Sequence, residues 1–207
     1  MTANITLAPF ATNQPASSFL LQSQGYVQGT AYDDPSVRME LAGGTLATAE
    51  TLVMWGGVPL TEQIDVNGSG SDGLGPVVAR ATSQANTTGW SVYNQAGAMV
   101  IGPGNSAPVS GTGGFVAFFR NGSNIRIAVQ CDPALITSIT GAGDAINSQA
   151  LYWDTTNYRI TLTTSSNWAL PTSVKLLSTN SNSKIISYNS GTGVVSWTTG
   201  SAAIILI

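Results

Sequence analysis

Histidine is missing from this 207-residue chain, cysteine occurs once, and only seven basic and ten acidic side chains are present. Histidine is the usual general base near neutral pH and the commonest metal ligand. A Ser-His-Asp triad, a Cys-His pair and an ordinary zinc site are therefore excluded, and the expectation is a protein that is not an enzyme and carries no cofactor. A single Cys131 excludes an intrachain disulfide; it ends an apolar run, Val129-Gln130-Cys131, and reads as a small buried hydrophobe. Five Arg and two Lys (Lys175, Lys184) form no basic stripe of the kind that neutralises phosphates, so nucleic acid is not an expected partner. Long apolar runs are also missing. The longest, Ala202-Ala-Ile-Ile-Leu-Ile207, is far too short to span a bilayer as a helix, so no membrane is expected. Thr2 to Phe10 has neither a positive n-region nor a continuous apolar h-region, which points to synthesis in a reducing cytoplasm.

What is present is Gly, Ser, Thr, Asn and Ala among short β-branched runs, with an apolar fraction of 43% that is enough for a core. A surface so poor in Lys and Glu lacks the charge that opposes association, which suggests contact with other subunits. Alternation with a period near two dominates. Phe115–Arg120 and Ile125–Val129 flank Asn121-Gly122, the strongest short-range hairpin signal. Further strand pairs are expected around Asp154–Asn157 and around a Ser/Asn-rich tip between Leu177 and Lys184. Another lies around Asn189–Gly193, and Gly200-Ser201 is expected to turn the chain into its last strand. The first half offers longer-looped strands near 18–24, 26–32, 37–41, 50–55, 76–82, 90–93 and 98–101. Helix evidence is confined to Leu46–Leu52. The fold class is thus all-β, a sandwich or jelly-roll-like barrel of short antiparallel strands with little helix. Residues 1–20 form an extended N-terminal arm interrupted by Pro9 and Pro15. Residues 21–132 form a β-rich domain and 133–207 a compact β subdomain, which can also pack with 21–132 as one unit.

Candidate sites are few. Asp65-Val-Asn67-Gly-Ser69-Gly70, with Asp72, copies the first half of a calcium loop; Pro76 stands where a bidentate Glu is required, so an exposed turn is the simpler account. Gly68-Ser-Gly70-Ser-Asp-Gly73 matches a dinucleotide fingerprint, but a strand-like run follows where a helix is needed. Asp33-Asp34 points to opposite faces or lies in a turn, unsuited to paired glycosidase carboxylates. Trp55, Trp90, Trp153, Trp168 and Trp197, with the six tyrosines, are a candidate sugar-stacking platform, against the simpler account that they pack inward. The C-terminal run is either a central strand buried on both faces or an edge that augments a neighbour.

The segment Thr140-Gly-Ala-Gly-Asp-Ala-Ile-Asn-Ser-Gln-Ala-Leu-Tyr-Trp-Asp154, followed by Ile160-Thr-Leu162, resembles tailed-bacteriophage head proteins that decorate or cement the capsid. The opening Pro9-Phe-Ala-Thr-Asn-Gln14 and the Asn/Ser/Thr/Gly-rich composition are similar to virion proteins too. The likeness covers the last third by motif and transfers no functional residue individually. It implies a non-enzymatic structural protein on the capsid exterior, a homodimer or homotrimer bridging major capsid protein subunits. The clasps would be Ile5, Leu7 and Phe10 in the arm and Ile204, Ile205, Leu206 and Ile207 in the last strand. The alternative is a tail, fibre or receptor-binding β-domain recognising host glycans. No fibre-type β-repeat or coiled-coil heptad accompanies it.

Overall fold

Short runs of β-branched and aromatic residues become eleven strands, and Asp132-Pro133 starts one helix, in a computed structural model that describes residues 25–32, 40–65, 75–93, 104–139 and 150–207. The arm expected at 1–20 lies outside these residues.

Five strands close into a barrel: β1 (Ala42–Leu46), β2 (Pro59–Gln63), β3 (Val77–Arg80), β4 (Gly89–Val92) and β5 (Phe115–Arg120), in the order β1-β3-β2-β4-β5. Every pairing is antiparallel except β1 with β3. Leu46, Leu60, Val78, Trp90, Val116 and Phe118 are fully buried. Gly43 and Gly44 in β1 make room for bulk: the Phe115 ring lies where a Gly43 side chain would stand, and Val78 and Pro76 crowd Gly44. Closure removes the sheet edges that would otherwise invite pairing with another chain.

The second sheet has the order β10-β11-β6, from β6 (Arg126–Gln130), β10 (Lys175–Asn189) and β11 (Val194–Leu206). A third, small sheet is built from β7 (Tyr152–Asp154), β8 (Arg159–Thr161) and β9 (Trp168–Ala169), with β7 central. The helix α1 (Pro133–Ser138) precedes it; the Asp132 carboxylate accepts from the Ala134 N–H, and Pro133 occupies a first-turn position where no N–H is needed.

The chain is therefore mostly β, with a closed barrel, as the alternation indicates, but several local expectations change, and the strands expected near 26–32 and 50–55 are reduced to isolated bridges at Val27, Ala31 and Met54. The Asn121-Gly122 turn is present, yet β5 and β6 do not pair. β5 lies between β4 and β1, and β6 lies against β11. Gly122 has φ of 91° while Asn121 is not among the positive-φ residues, and the Ser123 N–H reaches the Arg120 carbonyl at 3.2 Å. That is the type II pattern, which splays its flanking strands, whereas type I′ holds them together. The turn is also tied outward: Asn121 donates to the Thr88 and Thr87 carbonyls, and the Asn124 N–H to the Ile207 carbonyl.

The Ser/Asn-rich tip at 178–183 is no turn. With no Gly or Pro there, β10 runs on for 15 residues and absorbs the polar stretch in irregularities between Leu176 and Ser178 and between Asn180 and Ser183. Likewise Gly200-Ser201 lies inside β11, a 13-residue strand; Gly200 is small because Ile185 lies across it, 2.4 Å from where a Cβ would be. Leu46–Leu52 forms no helix, since Leu46 closes the barrel and Glu50 leaves to meet Arg80. The hairpins at 154–159 and 189–194 do form.

Residues 25–32 bind the sheets together. The Lys184 N–H donates to the Tyr26 carbonyl and the Gln28 N–H to the Lys184 carbonyl, on the β10 edge. The Gly29 N–H donates to the Ala128 carbonyl and the Tyr32 N–H to the Arg126 carbonyl, on the β6 edge. Gln28 is fully buried between them, its amide donating to the Gly56 carbonyl at 3.2 Å and accepting from the Ile186 N–H at 2.8 Å. Trp90 of the barrel meets Trp153 of β7 edge to face at 5.6 Å, joining the third sheet to the same core.

Candidate functional site

Arg80, at the end of β3, anchors an aromatic cluster that borders a cleft. Its guanidinium pairs with Glu50 at 2.9 Å and donates to the carbonyls of Leu52 and Val53, and it lies over the rings of Trp55 (5.0 Å) and Tyr158 (5.6 Å). Arg80 and Glu50 are both largely buried. A guanidinium held by a carboxylate and two carbonyls cannot swing away, so it fixes the two rings beneath it. Trp55 in turn meets Tyr158 edge to face at 5.1 Å and stacks on Tyr188 at 5.5 Å. The β1–β2 connection, the β7–β8 turn and β10 thus each contribute one aromatic ring to one cluster.

Tyr158 is held under strain. Its φ of 53° lies in the left-handed region, which a bulky side chain seldom adopts and which costs about 1–3 kcal/mol. The Asp154 turn imposes this. The Asp154 carboxylate accepts from the N–H groups of Thr156 and Asn157, both at 3.0 Å, and from the Asn157 side chain at 2.7 Å. Arg159, opposite Asp154 in the hairpin, pairs with it at 3.4 Å and with Asp132 at 2.9 Å. Burial works against a charged Asp154, but the hydrogen bonds from Asn157, Thr156 and Arg159 together outweigh it and hold the carboxyl below its ordinary range. Burial raises the Tyr158 phenol, with Arg80 opposing. Neighbouring Cys131 is buried among these groups, and burial, assisted by Asp132, pushes its thiol up to about 12. Such a thiol is inert rather than nucleophilic.

Between these elements opens a cleft of about 230 Å³, with Trp55, Tyr158 and Tyr188 on its aromatic side and Gln130, Ser187 and Thr198 among its polar lining. A shallower recess of about 440 Å³ shares Thr198 and is lined also by Lys184 and Trp197, whose ring lies 4.9 Å from the Lys184 ammonium. Family models, curated proteins and solved structures were all compared with the chain, and none matches. The assignment rests on the geometry alone.

Of the residues singled out from sequence, Asp65 follows β2 and is half-buried, while Asn67, Ser69 and Asp72 lie outside the described residues. So do Ile5, Leu7, Phe10, Asp33, Asp34 and the 68–73 glycines. Among the described residues no group of three acidic or cysteine side chains is placed to hold a metal. Ile204, Ile205 and Leu206 are paired on one side with β10 and on the other with β6, so this is the central strand of its sheet, with both edges occupied within the chain; Ile207 ends it, buried. Trp55, Trp90 and Trp153 are buried, and Trp168 and Trp197 half-buried, so the tryptophans form no exposed row. The half-exposed rings that border the cleft are two of the six tyrosines, Tyr158 and Tyr188, which composition counted with the tryptophans without picking out this pair. Arg80 carried no sequence signal either, because Glu50, Trp55 and Tyr158 reach it from 30, 25 and 78 positions away.

Proposed function

We propose that the chain is a non-enzymatic virion structural protein that decorates and cements a bacteriophage capsid, bridging major capsid protein subunits from the exterior as a homodimer or homotrimer. The observation that supports this best is where the charge goes. Arg80, Arg120 and Arg159 are engaged with Glu50, Glu62, Asp132 and Asp154 inside the chain. The exposed positions of the two long hairpin strands are mostly hydroxyls and amides, Ser178, Ser181, Asn182, Ser187, Asn189, Thr198 and Thr199, with Leu177 and Lys184 among them. A near-neutral hydroxyl and amide face on a firmly tied block suits docking to many identical sites, because the centres of interfaces are depleted of charge. Stiffness matters mechanically: a cement protein adds buried area between neighbours and resists their separation only if it does not itself yield.

The test is co-sedimentation of the purified chain with empty, undecorated capsids, together with its mass in solution. Stoichiometric binding to the shells is the expected result. A stable free trimer that ignores the shells would instead favour the tail, fibre or receptor-binding alternative.

A further inference from the structure

We propose that the cleft bordered by Tyr158 and Tyr188 binds a single neutral sugar ring of a glycan. The inference is independent of the capsid reading, since it concerns the ligand of one cleft and not the site of docking.

Three features of the cleft select this ligand class. Its aromatic side is pre-set: Tyr158 and Tyr188 are half-exposed, and both are backed by Trp55, which Arg80 and Glu50 hold from behind. A sugar presents flat C–H faces that pack on such rings and hydroxyls around its rim. The same cleft is lined by neutral hydrogen-bonding groups without other duties. The side chains of Gln130, Thr156, Ser187 and Thr198 line the cleft and make no hydrogen bond to any described residue. Together they offer one amide and three hydroxyls, each able to donate and accept, which is the complement of a polyol. Finally, the one cation among the described lining residues is offset. Arg159 already faces both Asp132 and Asp154, so the cleft has no surplus positive charge for a phosphate, sulfate or sialic acid. The volume, about 230 Å³, lies under the ~300–1,000 Å³ typical of drug-sized ligands and suits one ring. The strain stored at Tyr158 fits the same use, because it aims a ring that a relaxed hairpin would leave elsewhere.

The experiment is a printed array of neutral and acidic oligosaccharides probed with the full chain, followed by calorimetric titration of the best neutral hit. Expected is saturable binding to a neutral glycan that is insensitive to salt. The double substitution Ser187→Ala with Thr198→Val removes two exposed hydroxyls and should weaken binding about tenfold at unchanged Tm. Tyr188→Ala should abolish binding; if that variant fails to fold, the double variant decides. Lys184→Ala, outside the cleft, should leave affinity unchanged. The proposal is overturned by an array without neutral hits, by binding confined to sialylated or sulfated glycans, or by neutral binding that survives both cleft variants. Capsid co-sedimentation is read separately, so either idea can fail without the other.

Discussion

At the scale of single residues, a few side chains carry the junctions. Gly29 has φ of 80°, and a Cβ there would lie 2.6 Å from the Gly56 Cα, a backbone atom with nowhere to go. Gly29→Ala should therefore destabilise by at least about 3 kcal/mol, the sum of the left-handed penalty and the clash, measured by urea denaturation. The ion pairs are unequal. Glu50→Ala leaves a largely buried guanidinium short of its carboxylate and should cost about 2 kcal/mol. Arg120→Ala removes a cation that is more than half exposed and should cost under about 1 kcal/mol, despite its bidentate hold on Glu62. Equal losses in the two variants would contradict this ranking. Asp154 adds a pH dependence of definite sign. Its carboxyl is held below the ordinary value of 3.8, so its stabilisation is complete above that pH and is lost as pH falls through the lower folded value. Asp154→Asn should have a lower Tm than the parent at pH 7, and the gap should close below about pH 4; a gap that widens in acid would reverse the assignment.

Among the elements, strand pairing is where local signals fail. Asn121-Gly122 marks a turn correctly, but a turn constrains only its own four residues. Whether its strands pair depends on φ at Asn121 and on competing partners, and β4 and β11 supply better ones. The long polar stretch of β10 shows the same thing from the other side: Ser178–Ser183 lacks an apolar face, yet it stays extended because β11 pairs with it on either side of its bulge. The third sheet is too small to stand alone, with strands of three, three and two residues. It depends on Trp153 lodged against Trp90. Trp153→Ala should cost about 3–5 kcal/mol and loosen β7 and β8 together, seen as matched loss of amide protection at Trp153, Asp154 and Thr161. Loss confined to Trp153's immediate neighbours would mean that the sheet is held by something else.

For the molecule as a whole, the apparent boundary at Asp132-Pro133 runs through shared structure. β6 precedes it and β11 follows it, and the two are hydrogen-bonded neighbours; residues 26–32 cap both β10 and β6. Buried side chains of all three sheets belong to one core. The prediction is a single cooperative unfolding transition for the intact chain, and no folded state for a fragment of residues 133–207, whose β11 would lack one neighbour. A dispersed NMR spectrum from that fragment alone would show instead that it is independent.

Composition and alternation by themselves determined the class of this protein: β-rich, without histidine chemistry, with apolar and turn residues spaced for short strands. They also pointed to a buried Cys131 and to the hairpin around Asp154–Asn157, because an apolar run and a turn sequence are local signals. The tertiary structure alone decided which strands are neighbours, and hence that β5 and β6 part company and that the last strand is central. It alone brought Glu50, Arg80, Trp55, Tyr158 and Tyr188 into one cluster. A cation over a ring, or a hydroxyl facing a cleft, is a contact across the chain, and its energy depends on distances of a few ångströms that sequence separation does not encode.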